Sequence, residues 1–144
     1  LLHGHSYTAH AIGCAAAIES LSLYHEAERF DSVNNCFPEY WDEGIAREIS
    51  CIRGVHRTTV IGTVLAVEIQ ADGERGYSST AGHRITMALR ARGVFSRPLG
   101  NVIYVLCSPV ATFEECKRIC AILLQTIEGE LSEQAQTLPR EHID

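Results

Sequence analysis

Val94-Phe95-Ser96-Arg97-Pro98-Leu99-Gly100-Asn101-Val102-Ile103-Tyr104-Val105-Leu106-Cys107 reads as two extended segments around a reversal. Leu99-Gly100-Asn101-Val102 has the composition of a tight turn. The run Val102–Cys107 is continuously apolar, as a central strand requires. Pro98 biases Arg97 toward an extended backbone, which sets the direction in which that side chain leaves the strand. Upstream, Val55–Ile61 and Thr63–Ile69 are two more strand segments, the second alternating Leu65, Val67 and Ile69 to one side, with a kink or bulge expected at Gly62.

Helical patterns surround these strands. Ala9–Tyr24 is rich in alanine, the best helix former, with Ser6 or Thr8 placed to cap it. A second stripe, Trp41, Ile45, Ile49 and Ile52, recurs at spacings of four, four and three, with Pro38 in its first turn and Gly54 as its stop. Residues Ser79–Arg92 form a third, carrying Ile85 and Leu89 inward and closed by Gly93. The last starts at the cap Thr112, before Phe113-Glu114-Glu115, and runs to near Leu131, leaving 132–144 as a polar tail. Loops are expected at 31–38, closed by Pro38, and at 72–77. The order helix, helix, strand, strand, helix, strand, strand, helix predicts an α+β fold, helices packed on a small, mostly antiparallel sheet.

Composition narrows the classes of function. The 144 residues carry a net charge of −6 and no basic stripe, which argues against nucleic acid as a partner. No long apolar span suggests a membrane. The first residue is Leu1, and the chain opens inside a motif, so the downstream part of a longer protein is expected. The six cysteines, at 14, 36, 51, 107, 116 and 120, show no CxxC spacing and read as buried free thiols. Only one lysine, Lys117, stands against eleven arginines, and no motif surrounds it.

His3-Gly4-His5-Ser6-Tyr7-Thr8 opens onto the alanine-rich helix. A helix start of this kind offers free amides and the positive end of a dipole, a site for an anion and most often a phosphate. Gly4 leaves room for a ligand to approach the backbone. Arg97 is the second candidate, since a planar guanidinium can hold a carboxylate through two parallel hydrogen bonds. His3, His5, His10 and Cys14 together could be read as zinc ligands, but no further paired ligands at a standard spacing follow, and no metal is expected.

The wording LLHGHSYTAHAIGCAAAIESL and GVFSRPLGNVIYVLCSP, with VIGTVLAVEIQA between them, resembles the C-terminal third of the class III aminotransferases, which are fold-type I pyridoxal-phosphate enzymes. Within them it is most similar to the biotin-synthesis branch, in the plant and fungal form fused behind a dethiobiotin synthetase. The resemblance implies that residues 1–30 end the large cofactor domain and its connecting helix, and that 31–131 form the small domain. It implies amino transfer from S-adenosylmethionine to 8-amino-7-oxononanoate, in a mitochondrial homodimer, with a cytoplasmic location as the alternative. Carried over residue by residue, His5 and Ser6 would reach the cofactor phosphate of the neighbouring subunit. Gly4, Arg97 and Tyr104 would contact substrate, Arg97 at its carboxylate. The bacterial pattern has proline where His5 stands, so a backbone role is implied there. The family's Schiff-base lysine lies upstream of the matched wording, so no catalytic residue is assigned here, and Lys117 is read as a solvated helix residue. Two alternatives share part of the pattern: a class III enzyme acting on ornithine or another ω-amino acid, and a non-catalytic α+β interaction domain.

Overall fold

The computed structural model describes residues 4–6, 8–27, 30–70 and 79–137, and the side chains among them up to residue 133. Eight elements follow in the expected order. They are α1 (Ala11–Glu26), α2 (Glu43–Cys51), β1 (Val55–Ile61), β2 (Val64–Ile69), α3 (Ala81–Ala91), β3 (Arg97–Leu99), β4 (Val102–Leu106) and α4 (Phe113–Thr137). The strands form one antiparallel sheet in the order β1-β2-β4-β3. The expected loop at 72–77 lies outside the described residues.

Alternation along the strands divides the sheet into two faces. Leu65, Val67 and Ile69 of β2, with Ile103 and Val105 of β4, point to one side and are buried. Ile49 of α2, Ile85 and Leu89 of α3, and Leu123 and Ile127 of α4 belong to the same buried cluster. Burying side chains of this size is worth about 1.5–3 kcal/mol each, and this one-sided core holds the sheet to its helices. The opposite face carries no helix and stays partly exposed.

Caps set most of the boundaries. Asp42 Oδ1 accepts from the Ile45 amide at 2.9 Å and starts α2. Thr112 and Glu115 form a reciprocal capping box at α4: the Thr112 amide donates to Glu115 Oε2 at 2.8 Å, and the Glu115 amide donates to Thr112 Oγ1 at 3.3 Å. Helix α3 ends in a Schellman motif, with Gly93 N–H on Arg90 O and Val94 N–H on Leu89 O, both at 3.0 Å.

Several expectations require correction. Pro38 precedes α2 by five residues, because Asp42 supplies the cap. Gly62 is no kink within a longer extended segment. Ile61 pairs with Val64 around a two-residue reversal, making β1 and β2 a hairpin. Helix α4 continues to Thr137, past the expected end near Leu131. Three of the six cysteines, Cys14, Cys36 and Cys51, are exposed, Cys107 is half-buried, and only Cys116 and Cys120 are buried. Cys14 is exposed because α1 buries none of its residues, even Ile12 and Ile18 being 75% and 66% exposed. An aromatic chain, Tyr24 to Phe37 to Tyr40, joins the end of α1 to the core.

Candidate functional site

The register places Arg97 and Tyr104 directly opposite one another across β3 and β4. Tyr104 lies opposite Ala66, and Ala66 opposite Thr59. Side chains opposite one another share a face, so Arg97, Tyr104, Ala66 and Thr59 form one row across the helix-free side of the sheet. Ile61, Val64 and Leu106 make the neighbouring row on one side, and Arg57, Glu68, Val102 and Leu99 the row on the other. Arg57 and Glu68 pair at 3.3 Å. Arg97 is exposed and its side chain makes no ion pair or hydrogen bond among the described residues, whereas Tyr104 is half-buried.

Strand β3 suits this placement. It is an edge strand, so the missing amide of Pro98 costs no bond to a further strand. Pro98 lies opposite Ile103, whose side chain is buried, and therefore faces the core, while Arg97 and Leu99 on either side face outward. A cationic fork beside a phenol on an open apolar face can take a carboxylate through charge-assisted hydrogen bonds.

The amino-terminal turn differs from expectation. Neither Ser6 nor Thr8 caps α1. His10 does, its Nδ1 accepting from the Gly13 amide at 3.1 Å. Ala9 has φ of 57°, a left-handed conformation that breaks the helical path and overrides its propensity. His5 and Thr8 therefore close a separate turn, with the Thr8 amide on His5 O at 2.9 Å and the His5 amide on Thr8 Oγ1 at 2.7 Å. Gly4, His5 and Ser6 are all exposed, and no hydrogen bond occupies the Ser6 hydroxyl among the described residues. An anion held here would meet this turn rather than the helix amides.

The structure brings Arg97 and Tyr104 together, and no hydrogen bond links either of them to Ser6. His3 lies outside the described residues, and no group of three His, Cys, Asp or Glu side chains among them is arranged to hold a metal ion. No helix among the described residues is long and apolar enough to cross a membrane. Lys117 is exposed on α4.

Two residues that sequence reading passed over support the Arg97 hairpin. Gly82, in the first turn of α3, donates its amide to Gly100 O at 3.2 Å. Asn101 is buried, and its Nδ2 donates to Ile69 O at 3.0 Å and to Glu68 Oε1 at 3.4 Å. The Leu99–Val102 turn marked Asn101 as a turn residue, but nothing local showed that its side chain reaches β2.

No protein-family model matches the chain. Individual relatives do. The chain is 40% identical over 136 residues to the mitochondrial bifunctional dethiobiotin synthetase/7,8-diamino-pelargonic acid aminotransferase of Arabidopsis thaliana, a match covering 92% of this chain and 16% of that protein. It is 33% identical to the bifunctional dethiobiotin synthetase/adenosylmethionine-8-amino-7-oxononanoate aminotransferase of Emericella nidulans, over 92% of this chain and 18% of the relative. The chain thus spans about a sixth of these relatives' length. Among solved structures, the adenosylmethionine-8-amino-7-oxononanoate aminotransferase of Methanocaldococcus jannaschii superposes with a TM-score of 0.66 at 23% identity, covering 90% of this chain and 30% of its own. The omega-transferase of Vibrio fluvialis JS17 gives 0.66 at 18% identity, over 95% and 33%. These structural likenesses speak for the fold alone. Matched over nine-tenths of its length at 40% identity, and folded like part of the solved aminotransferases, the chain is similar to a part of the dethiobiotin synthetase/7,8-diamino-pelargonic acid aminotransferases and of the adenosylmethionine-8-amino-7-oxononanoate aminotransferases.

Proposed function

We propose that this chain forms the carboxylate-binding part of a pyridoxal-phosphate transaminase of biotin synthesis. That enzyme would move an amino group from S-adenosylmethionine to 8-amino-7-oxononanoate, giving 7,8-diaminononanoate. The observation that carries the proposal is the Arg97–Tyr104 pair standing on the open face of the sheet. Arg97 would grip the acceptor's carboxylate, orienting the far end of the molecule toward the reacting centre. Tyr104, half-buried beside it, would donate its hydroxyl to the same group and shield the fork from water on one side.

The exposed turn closed by His5 and Thr8 is compatible with a phosphate. Gly4 keeps side-chain bulk away from the approach, and the Ser6 hydroxyl is not committed to another described residue. Ser6 and the backbone at His5 would hold the pyridoxal phosphate of a neighbouring subunit, which makes a homodimer part of the proposal. When bound, the cofactor supplies the electron-accepting ring through which an amine passes from donor to acceptor. Residues 1–30 would then belong to the large domain, whose surface would cover the exposed apolar residues of α1, and residues 31–131 to the small domain. The only lysine here is the exposed Lys117, so the lysine this chemistry needs would come from outside these 144 residues. By likeness to the plant relatives, the enzyme would be mitochondrial and fused to a dethiobiotin synthetase.

Steady-state kinetics of the full-length protein tests the reading. Hydrogen bonds to a charged group are worth about 1.5–3 kcal/mol, so Arg97→Ala should raise KM for the keto acid by roughly tenfold to a hundredfold. KM for the amino donor would respond far less. An unchanged keto-acid KM in Arg97→Ala would remove the proposal.

A further inference from the structure

We propose that Gly82 is a positioning residue for Arg97: the bare backbone of α3 sets the β3–β4 turn, and the turn aims the guanidinium. The inference rests on Arg97 being the carboxylate ligand. Arg97 has no side-chain anchor among the described residues, so its direction comes from its backbone. That backbone belongs to a strand of three residues at the edge of the sheet, paired on one side only. Strand β3 by itself is a weak support. What steadies it lies at the turn that follows.

The turn is held from two sides. On the helix side, Gly82 N–H donates to Gly100 O. The start of α3 is itself fixed, because the buried Thr86 hydroxyl donates back to Gly82 O at 2.8 Å. On the sheet side, the buried Asn101 ties its side chain to Ile69 O, and its own carbonyl accepts the Ile69 amide at 2.8 Å. Between these supports there is no slack. A Cβ on Gly82 would lie 2.9 Å from Gly100 O, 3.3 Å from Ile103 Cγ1 and 3.6 Å from Pro98 Cβ. The first of these is about half an ångström inside ordinary contact, and its partner is backbone, which cannot swing aside as a side-chain tip can. Helix and turn can clear the clash only by moving apart, which stretches the Gly82–Gly100 bond and takes away the turn's support on the helix side. Pro98 sits against the same spot, and the displacement passes through it to Arg97, its neighbour in the chain.

Misplacing a binding group by about an ångström can cost around a hundredfold in rate, so an imperfect aim has a readable consequence. The experiment uses the full-length transaminase with two acceptors, the keto acid and its methyl ester, and reads the ratio of their kcat/KM values. Loss of folded enzyme lowers both values alike and leaves the ratio intact, so a merely structural role does not move it. Arg97→Ala sets the floor. In Gly82→Ala the preference for the free carboxylate should fall roughly tenfold or more toward that floor. If Arg97→Ala abolishes the preference and Gly82→Ala keeps it, the positioning role is overturned while the reading of Arg97 stands. If Arg97→Ala itself leaves the ratio unchanged, both fail. Should Gly82→Ala yield no soluble protein, Asn101→Ser loosens the same turn from its sheet side. A fall in the ratio then supports the inference, and an unchanged ratio overturns it.

Discussion

Replacing Gly93 by alanine tests whether the path from α3 into β3 is set by backbone conformation. Gly93 has φ of +80°, and a Cβ placed there meets nothing within 4 Å. No steric clash therefore enters the cost. A left-handed conformation penalises a non-glycine residue by about 1–2 kcal/mol. The variant's unfolded chain is also less free, which returns about 0.4–1 kcal/mol. If the chain instead relaxes to avoid the strain, it gives up the bonds from Gly93 N–H to Arg90 O and from Val94 N–H to Leu89 O, each worth about 0.5–1.5 kcal/mol, and shifts the buried Val94. Less that return, either route predicts a net loss of about 0.5–1.5 kcal/mol. Urea denaturation of the 144-residue chain reads this through Trp41, its only tryptophan, which is 3% exposed. With a slope of about 2 kcal/mol per molar, the midpoint should fall by roughly 0.25–0.75 M without a change of slope. Gly93→Asn should cost less than Gly93→Ala, since asparagine tolerates the left-handed region better. Gly129→Ala is the control of opposite sign: it lies within α4 with nothing within 4 Å of an added Cβ, and should stabilise by about 0.5–1 kcal/mol. A Gly93→Ala midpoint equal to or above the parent's, or an asparagine variant weaker than the alanine one, would refute the reasoning.

Two further predictions concern titration and thiol chemistry. Hydrogen bonds from the Thr112 amide and then the Thr112 hydroxyl hold the Glu115 carboxyl below its ordinary range. A carboxyl depressed in the folded state contributes stability that is fully present above its unfolded pKa and lost as pH falls through its folded one. Melting of Glu115→Ala beside the parent should therefore show a deficit that is full near neutrality and shrinks in acid; a deficit that grows on acidification would contradict the capping box. Thiol modification of the native chain at mildly alkaline pH should label Cys14, Cys36 and Cys51 quickly and spare Cys116 and Cys120 until denaturant is added. Burial pushes the Cys120 thiol upward, which slows it further. Rapid labelling of Cys120 in the folded chain would count against the packing of α4.

The order and kind of every element were legible in the amino-acid sequence, because each rests on local chemistry. Ile49, Ile85 and Leu89 recur at helical spacing, Leu65, Val67 and Ile69 alternate, and Thr112 with Glu115 writes a capping box within four residues. Arg97 and Tyr104 were legible as candidates too, seven residues apart around a visible turn. Where local preference met competition, the reading failed: alanine propensity placed the start of α1 at Ala9, but the left-handed backbone there and the His10 cap moved it to Ala11. Tertiary structure alone decided which thiols are covered, that Gly62 reverses the chain, and that Arg97, Tyr104, Ala66 and Thr59 share one row of the open face. It also revealed the fit of Gly82 against Gly100 and the reach of Asn101 to β2. Those contacts join residues 18 and 32 positions apart, and spacing along a chain carries no record of which distant backbone will stand 2.9 Å from where a side chain would have to begin.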